Sequence, residues 1–431
     1  MNLEKCRKIY FLGVKGAGMT ALAQIFRGMG KTVWGSDVAE PFFTDAVLRR
    51  SKIKVLPFDA KNITKEIDLL VYSTAYGPSN PEFVAAKKLG VKMLSYPEAL
   101  GLLFAGKYGI AVCGTHGKTT TTAMLGYVLQ ELKADPLVVV GSEVKQLGGN
   151  ARFGKGKYFV VEADEYQNKL KHYSPRAVIL TSADWDHPDY FKNQKAYNQV
   201  FKDFVRRIPK NGLLVAFSQD KNVREIIKSA KCKVVKYGYC LPATSYQLLI
   251  PGEHNLWNAS AVLTLIAELG LDVVKVQKIL TKFKGCKRRF ELMGEKRGVK
   301  IYDDYAHHPT EVQKLLEAAR GKFPKDRIWA VFQAHTYTRT KALLKDFGRS
   351  FQNADRVVIL PIFGSAREAQ GTVSPKDLVR EINRHSHNAS YRGKITEAAE
   401  YLKKQIKPGD IVICIGAGEN WKVGKILLAK D

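Results

Sequence analysis

The segment Gly114-Thr-His-Gly-Lys-Thr-Thr120 carries the strongest chemical signal in the chain. It follows the apolar stretch KYGIAVC and precedes TTAMLGYVLQEL, which has the composition of a helix. At a strand–loop–helix junction, Gly114 and Gly117 let backbone amides approach phosphate oxygens, and the helix N-terminus adds partial positive charge. Thr115, His116 and Thr120 complete the loop. Lys118 then reaches the outer phosphates of a nucleotide, and the Thr119 hydroxyl ligates a divalent cation. The spacing departs from G-x-x-x-x-G-K-[ST], because Val112 stands where the first glycine would be. It is the strand–loop–helix context that favours a nucleotide site over a structural turn.

Two acidic clusters follow apolar stretches further on. KYFVV ends in Glu162-Ala-Asp164-Glu165, and RAVILTS leads to Asp184-Trp-Asp186-His187-Pro-Asp189. In parallel α/β sheets, ligands sit beyond the carboxyl ends of strands, where both clusters fall. Hard oxygen ligands suit Mg²⁺, with an imidazole tolerable as one member. Each cluster alone reads as a capped loop with surface acids. Behind a phosphate loop, the pair reads as the rest of a magnesium–ATP site.

A second glycine turn, Gly13-Val-Lys-Gly16-Ala-Gly18, opens the chain after KIYFL. It reverses the spacing of G-x-G-x-x-G, and Ser36-Asp37 ends the next strand with an acid where an NAD-binding enzyme carries one. An NAD-dependent oxidoreductase is therefore a competing reading, but it leaves the phosphate loop and both acidic clusters unexplained.

The elements that must hold these residues alternate as βαβ units. Residues 1–104 contain the strands KIYFLG, KTVWGSD and IDLLVYS. Residues 105–283 contain KYGIAVCG, PLVVVG, KYFVVEAD, RAVILTSAD and NGLLVAF. Residues 284–431 contain VKIYDDY, RIWAVFQ, RVVILP and DIVICIGAG. The expectation is three consecutive α/β domains: Rossmann-like, P-loop ATPase and Rossmann-like.

Composition restricts the function classes. The 431 residues suffice for two or three domains, and 45% hydrophobic with 26% charged content is that of a soluble globular protein. The opening MNLEKCRKIYFLG lacks a signal-peptide profile, and no apolar run approaches the length of a bilayer span. Six scattered cysteines, including Cys240, have no zinc or C-x-x-C spacing. These features predict a cytoplasmic protein with reduced thiols and no membrane partner. The charge of +28, from 69 basic and 41 acidic residues, is spread along the chain and favours anionic small substrates. A basic ATP-binding nucleic-acid protein is the other competing class, although no nucleic-acid motif is visible and no such partner is expected.

Taken in order, the glycine turn, phosphate loop, E-A-D-E, D-W-D-H, Gly252-Glu-His-Asn-Leu-Trp-Asn258, Arg288-Arg-Phe and Asp303-Asp-Tyr-Ala-His-His-Pro-Thr-Glu311 resemble the Mur ligases over essentially the whole chain. The resemblance implies a UDP-binding, an ATP-binding and an amino-acid-binding domain in that order. It places Lys118 and Thr119 on phosphates and metal, Glu162 and His187 on Mg²⁺, and Asn255 and Asn258 at adenine beside His254. Arg289 and Asp304 are assigned to the γ-phosphate region and ribose. Gly16, Gly18, Ser36, Asp37, Ser73 and Thr74 are assigned to the UDP-sugar, with Asn80 and Glu82 in the same polar loop.

The third-domain motifs, with Phe332-Gln-Ala-His335-Thr-Tyr-Thr-Arg339, favour a member that joins L-alanine to UDP-N-acetylmuramate through an acyl phosphate, using ATP and Mg²⁺ in peptidoglycan precursor synthesis. His307, His308 or His335 would handle the amine or orient the acceptor, and Arg339 would grip its carboxylate. Thr336 replaces a usual arginine and Ala334 a usual proline. The alternative member, resembled by Glu165-Tyr166 and DWDHPDYF, joins a murein tripeptide to the same acceptor sugar. Lys202 falls where some relatives carry a carbamylated lysine, although a plain lysine is expected. A monomer or homodimer is expected.

Overall fold

The computed structural model describes residues 3–40, 42, 44–238, 247–364, 368 and 370–429; Cys240 lies outside them. The chain forms two compact units. The first comprises Met1–Ala183, Asn198–Cys240 and Ala259–Phe283, and the second Asp184–Tyr197, Leu241–Asn258 and Lys284–Asp431. Cys6, Cys113, Cys232 and Cys414 are reduced thiols. Among the described residues no helix is long and apolar enough to cross a membrane.

The first unit holds two sheets. In the N-terminal sheet, β1 (Lys8–Leu12), β2 (Thr32–Ser36), β3 (Lys54–Leu56), β4 (Leu69–Tyr72) and β5 (Met93–Ser95) lie in the order β3-β2-β1-β4-β5. All pairings are parallel. Ile9, Tyr10, Phe11 and Leu12 are fully buried, as a central parallel strand covered on both faces requires. The chain reverses direction across the sheet between β1 and β4. The glycine turn and Ser73-Thr74 therefore leave adjacent strand ends at the switch point, where ligands bind in such sheets.

The second sheet contains β6 (Tyr108–Cys113), β7 (Leu137–Val144), β8 (Gly149–Arg152), β9 (Tyr158–Glu162), β10 (Ala177–Leu180), β11 (Leu213–Phe217) and β12 (Lys233–Tyr237). Their order is β12-β11-β10-β6-β9-β7-β8, with only β7–β8 antiparallel. Here β6 is the switch strand. Its loop thus emerges between the ends of β9, which carries Glu162, and β10. Helix Lys118–Glu131 follows, buried continuously from Thr119 to Leu129. The two sheets touch where Asn150 Nδ2 donates to Ala17 O at 2.8 Å.

The second unit is built on β13 (Glu291–Lys296), β14 (Val299–Asp304), β15 (Ile328–Phe332), β16 (Arg356–Ile359), β17 (Ala389–Tyr391) and β18 (Ile411–Ile415), in the order β13-β14-β18-β15-β16-β17. Only β13–β14 is antiparallel. Apolar clusters cover both faces. Segment 184–197 belongs to this unit although it follows a strand of the first. Helix Glu253–Glu268 contributes residues to both units. The three α/β sheets follow one another as the sequence predicts.

Candidate functional site

The phosphate loop owes its shape to two glycines in left-handed backbone, Gly114 at φ +129° and Gly117 at φ +79°. A Cβ on Gly114 would lie 2.3 Å from Thr181 Oγ1, so only glycine fits. The end of β10 braces the loop. Ser182 O accepts from Thr115 N at 3.1 Å and Ser182 Oγ from His116 N at 2.8 Å, while Thr181 Oγ1 donates to His116 O at 2.6 Å. Lys118 Nζ lies across the loop on the carbonyls of Gly114 and Thr115 and on Glu165 Oε2, the last at 3.1 Å. Burial disfavours this ammonium, but Glu165, Asp164 and Glu162 outweigh burial and hold its pKa above the usual lysine value. The cation stays charged and confined at the head of the helix, where an incoming polyphosphate would meet it.

Thr119 Oγ1 donates to Glu162 Oε1 at 2.8 Å, while Gly141 N donates to Glu162 Oε2. A Cβ on Gly141 would come 2.8 Å from that carboxylate. The pair forms a compact set of hard oxygens against a glycine cradle, which fits a magnesium ion. Asp164 bonds Lys169 at 2.6 Å. Lys202 Nζ pairs with Glu225 at 2.9 Å, and Lys228 and Lys202 together draw that carboxyl down to about 2. His187 lies in the second unit, with φ +54° and its backbone N–H on Asp186 Oδ1 at 2.7 Å.

The N-terminal turn is held by its neighbours. Ser36 O accepts from both Gly13 N and Val14 N, at 2.9 and 3.1 Å. Its hydroxyl donates to Glu82, and both residues are fully buried. Asp37 accepts from Lys15 N at 2.6 Å and from the Tyr76 hydroxyl at 3.1 Å. Ser36 and Asp37 thus shape the turn, while Gly16 and Gly18 begin the helix Ala17–Gly28. Ser73 is half-buried and Thr74 exposed. The Asn80 side chain caps helix Pro81–Lys88.

In the second unit, segment 184–197 meets the C-terminal sheet through a buried ion pair. Arg339 Nε and Nη2 donate to the two oxygens of Asp186 at 2.7 and 3.3 Å. Arg339 Nη1 lies 3.2 Å from His335 Nδ1 and donates to His335 O at 3.3 Å. Although burial opposes it, the Arg339 guanidinium holds the Asp186 carboxyl well below the usual range. His307 Nδ1 donates to Tyr305 O at 2.9 Å, and His308 Nδ1 caps helix Pro309–Lys322 through Thr310 N at 3.3 Å. Burial, aided by Arg339 against Glu311, lowers His307 to about 3; burial and Arg339 lower His335 to about 4.

Asp304 is engaged by Phe290 N and Ala306 N, each at 2.7 Å; burial raises its carboxyl to about 6 against the pull of Arg289. Arg289 stacks on Tyr305 with 5.5 Å from guanidinium to ring. A cavity of about 750 Å³ is lined by Pro251, Gly252, His254, Lys314, Glu317 and Ala318, among others. Asn255 and Asn258 lie beside it in sequence, bonded to each other at 3.2 Å.

Three family models match the chain in succession: "Mur ligase family, catalytic domain" over residues 8–108, "Mur ligase middle domain" over 112–248, and "Mur ligase, glutamate ligase domain" over 288–418. The UDP-N-acetylmuramate–L-alanine ligase of Desulfitobacterium hafniense is 42% identical over 97% of this chain and 99% of its own. The chain belongs to the Mur ligase family. The corresponding ligase of Caldanaerobacter subterraneus is 37% identical over 100% of this chain and 99% of its own. The crystal structure of the Thermotoga maritima UDP-N-acetylmuramate–alanine ligase superimposes with a TM-score of 0.80, at 27% identity, over 98% of each chain.

This Mur ligase also uses residues that its motifs do not announce. Thr181 and Ser182 end the stretch RAVILTS, and only the placement of β10 beside β6 turns them into loop braces. Asp186 stands in plain view within D-W-D-H, but its partner is 153 positions away.

Proposed function

We propose that this Mur ligase joins L-alanine to UDP-N-acetylmuramate with hydrolysis of ATP to ADP, in the cytoplasm, and that residues 1–104, 105–283 and 284–431 bind the UDP-sugar, ATP and the amino acid. The full-length similarity to ligases named for that reaction carries the reading. Thr119 and Glu162, with His187, would hold Mg²⁺, which when bound supplies charge neutralisation between phosphate oxygens. Lys118 stabilises charge developing on the transferring phosphoryl group. The muramate carboxylate oxygen bonds to the γ-phosphorus as ADP departs. The acceptor nitrogen then bonds to the acyl carbon, phosphate leaves with the bonding pair, and the amine proton passes to a base. The protein's part is mainly positioning, because neither step needs a covalent enzyme intermediate.

The reading is tested by phosphate release from ATP with UDP-N-acetylmuramate and each candidate acceptor in turn. Release that depends on L-alanine supports it. Release only with L-alanyl-D-glutamyl peptides would transfer the chain to the tripeptide-joining reaction, and retention on nucleic acid without muramate-dependent ADP formation would refute both.

A further inference from the structure

The head of helix Tyr337–Ala342 is held by a carboxylate from a separate stretch of chain. Glu368 Oε2 accepts from Tyr337 N at 2.8 Å, while Glu368 Oε1 accepts from Thr338 N at 2.8 Å and from the Thr338 hydroxyl at 2.6 Å. Both oxygens are thus in use. Although burial opposes it, the Thr338 hydroxyl and the two amides hold this carboxyl below the usual glutamate value, so it stays ionised at neutral pH. Glycines on either side let the chain come this close. A Cβ on Gly371 would lie 2.6 Å from Tyr337 Cβ, and one on Gly364 would lie 3.3 Å from the Tyr337 ring.

What this clamp restrains is the residue just before it. Thr336 holds φ +67° and ψ 139°, a backbone that persists for a β-branched residue only where its surroundings over-determine it. Two restraints converge there. On the N-terminal side a parallel bridge joins His335 to Phe363: Thr336 N donates to Phe363 O and Phe363 N to Ala334 O, each at 2.9 Å. On the C-terminal side Glu368 fixes the next two amides. His335 lies inside this bracket, with Nδ1 3.2 Å from Arg339 Nη1. Without Glu368 one side of the bracket opens, Thr336 relaxes, and His335 shifts relative to Arg339. A cap that served the helix alone would gain nothing from a strained residue beside it, whereas such strain clusters at ligand clamps.

We propose that Glu368 is a positioning residue for the acceptor: it holds the strained turn at Thr336 and so fixes the relation of His335 to Arg339 that the incoming amino acid meets. The inference rests on the ligase reading, which makes this loop the acceptor side. Glu368→Gln keeps the size and one oxygen but turns an amide nitrogen toward a backbone donor, so half of the clamp is lost. It should raise the KM for the acceptor by about tenfold, typical of a lost hydrogen bond to a charged group. The KM values for ATP and UDP-N-acetylmuramate should stay at wild-type levels. A carboxylate serving only the fold would instead lower the melting temperature and leave the acceptor KM unmoved. Thr336→Gly removes the strain that the clamp restrains. In that background Glu368→Gln should change the acceptor KM by less than about twofold, because the two positions act as one unit. A wild-type acceptor KM in Glu368→Gln, or an effect of equal size in both backgrounds, would overturn the proposal and leave the ligase reading intact. Absence of any acceptor-dependent phosphate release from the wild-type protein would overturn both.

Discussion

Arg339 grips Asp186 with two of its nitrogens across 153 residues of sequence, and the two side chains are only 4% and 7% exposed. The guanidinium that a Mur ligase would offer to an acceptor carboxylate is thus already engaged. Its visible work is to fasten the D-W-D-H segment, and with it His187, to the helix Tyr337–Ala342. Removing one partner of a buried pair leaves an uncompensated charge, which typically costs about 3–5 kcal/mol. Asp186→Asn should therefore lower stability by about that amount and depress turnover. Arg339→Lys, which keeps the charge but not the fork, should recover only part of both. The Asp186 carboxyl is depressed in the folded state, so its contribution is present above the unfolded value near ~3.9 and is lost as pH falls through the folded value. Denaturant titrations of wild type and Asp186→Asn should accordingly differ by a constant amount from pH 5 upward (roughly, given those limits).

A second pH signature comes from histidines. Burial lowers His254 to about 4, His307 to about 3 and His335 to about 4, against roughly 6.5 in the unfolded chain. Between those values the unfolded state binds more protons, so stability rises with pH up to about 6.5 and then levels off. Asp304, raised to about 6, opposes this slope with one proton. Melting temperatures should fall on acidification from pH 7 to pH 4, and each His→Gln substitution should flatten that slope. A profile with no slope in wild type would contradict the buried, neutral imidazoles.

The sequence reveals the fold unevenly, for a physical reason. The twelve stretches readable as strands are the interior strands of the three sheets, whereas β3, β5, β8, β12, β13 and β17 are the six edges. Interior parallel strands are covered on both faces and read as apolar runs; edge strands such as Glu291–Lys296 or Ala389–Tyr391 are half-exposed and carry no such signal. The site divides in the same way. Lys118, Thr119 and their glycines are legible because the phosphate loop is contiguous, and its chemistry is local. The Asp186–Arg339 pair and the Ser182 brace depend on which strand lies beside which, and no spacing encodes that.

Lys118 offers a test that separates chemistry from folding. Its ammonium lies on Glu165, which is only 1% exposed. Lys118→Ala should reduce turnover by about 10²-fold or more through loss of transition-state charge stabilisation. It should also lower the melting temperature, because it strands a buried carboxylate. In Lys118→Ala combined with Glu165→Gln the melting temperature should return while turnover does not. Recovery of both would mean that the lysine serves only the fold.

The oxygen pair Thr119–Glu162 predicts a different phenotype. Glu162→Ala should raise the magnesium concentration needed for half-maximal rate by about tenfold and leave UDP-N-acetylmuramate binding within twofold (magnitudes on the order of one lost charged ligand). His187→Ala should act in the same direction. A loss of UDP-sugar binding with unchanged magnesium dependence, measured by calorimetry beside the rate assay, would mean that the two substrate domains are assigned the wrong way round.

Thr336 is where acceptor choice is most open to experiment. It holds φ +67°, ψ 139°, an uncommon backbone for a β-branched residue, and its hydroxyl accepts from Arg339 N at 3.4 Å. It thus heads the helix whose only buried guanidinium, among the described residues, is engaged with Asp186. Thr336→Arg would add an unengaged guanidinium at this position. If the acceptor is L-alanine, the substitution should lower the KM for alanine by roughly tenfold, as expected for a new hydrogen bond to a carboxylate, with the KM for ATP unchanged. Thr336→Gly, which relieves the backbone but removes the cap, controls for helix geometry and should not tighten alanine. If Thr336→Arg instead blocks activity, and the wild type prefers L-alanyl-D-glutamyl peptides, the threonine makes room for a longer acceptor. Steady-state kinetics of both variants with both acceptors separates these cases, because an added charge tightens a small zwitterion and obstructs a peptide.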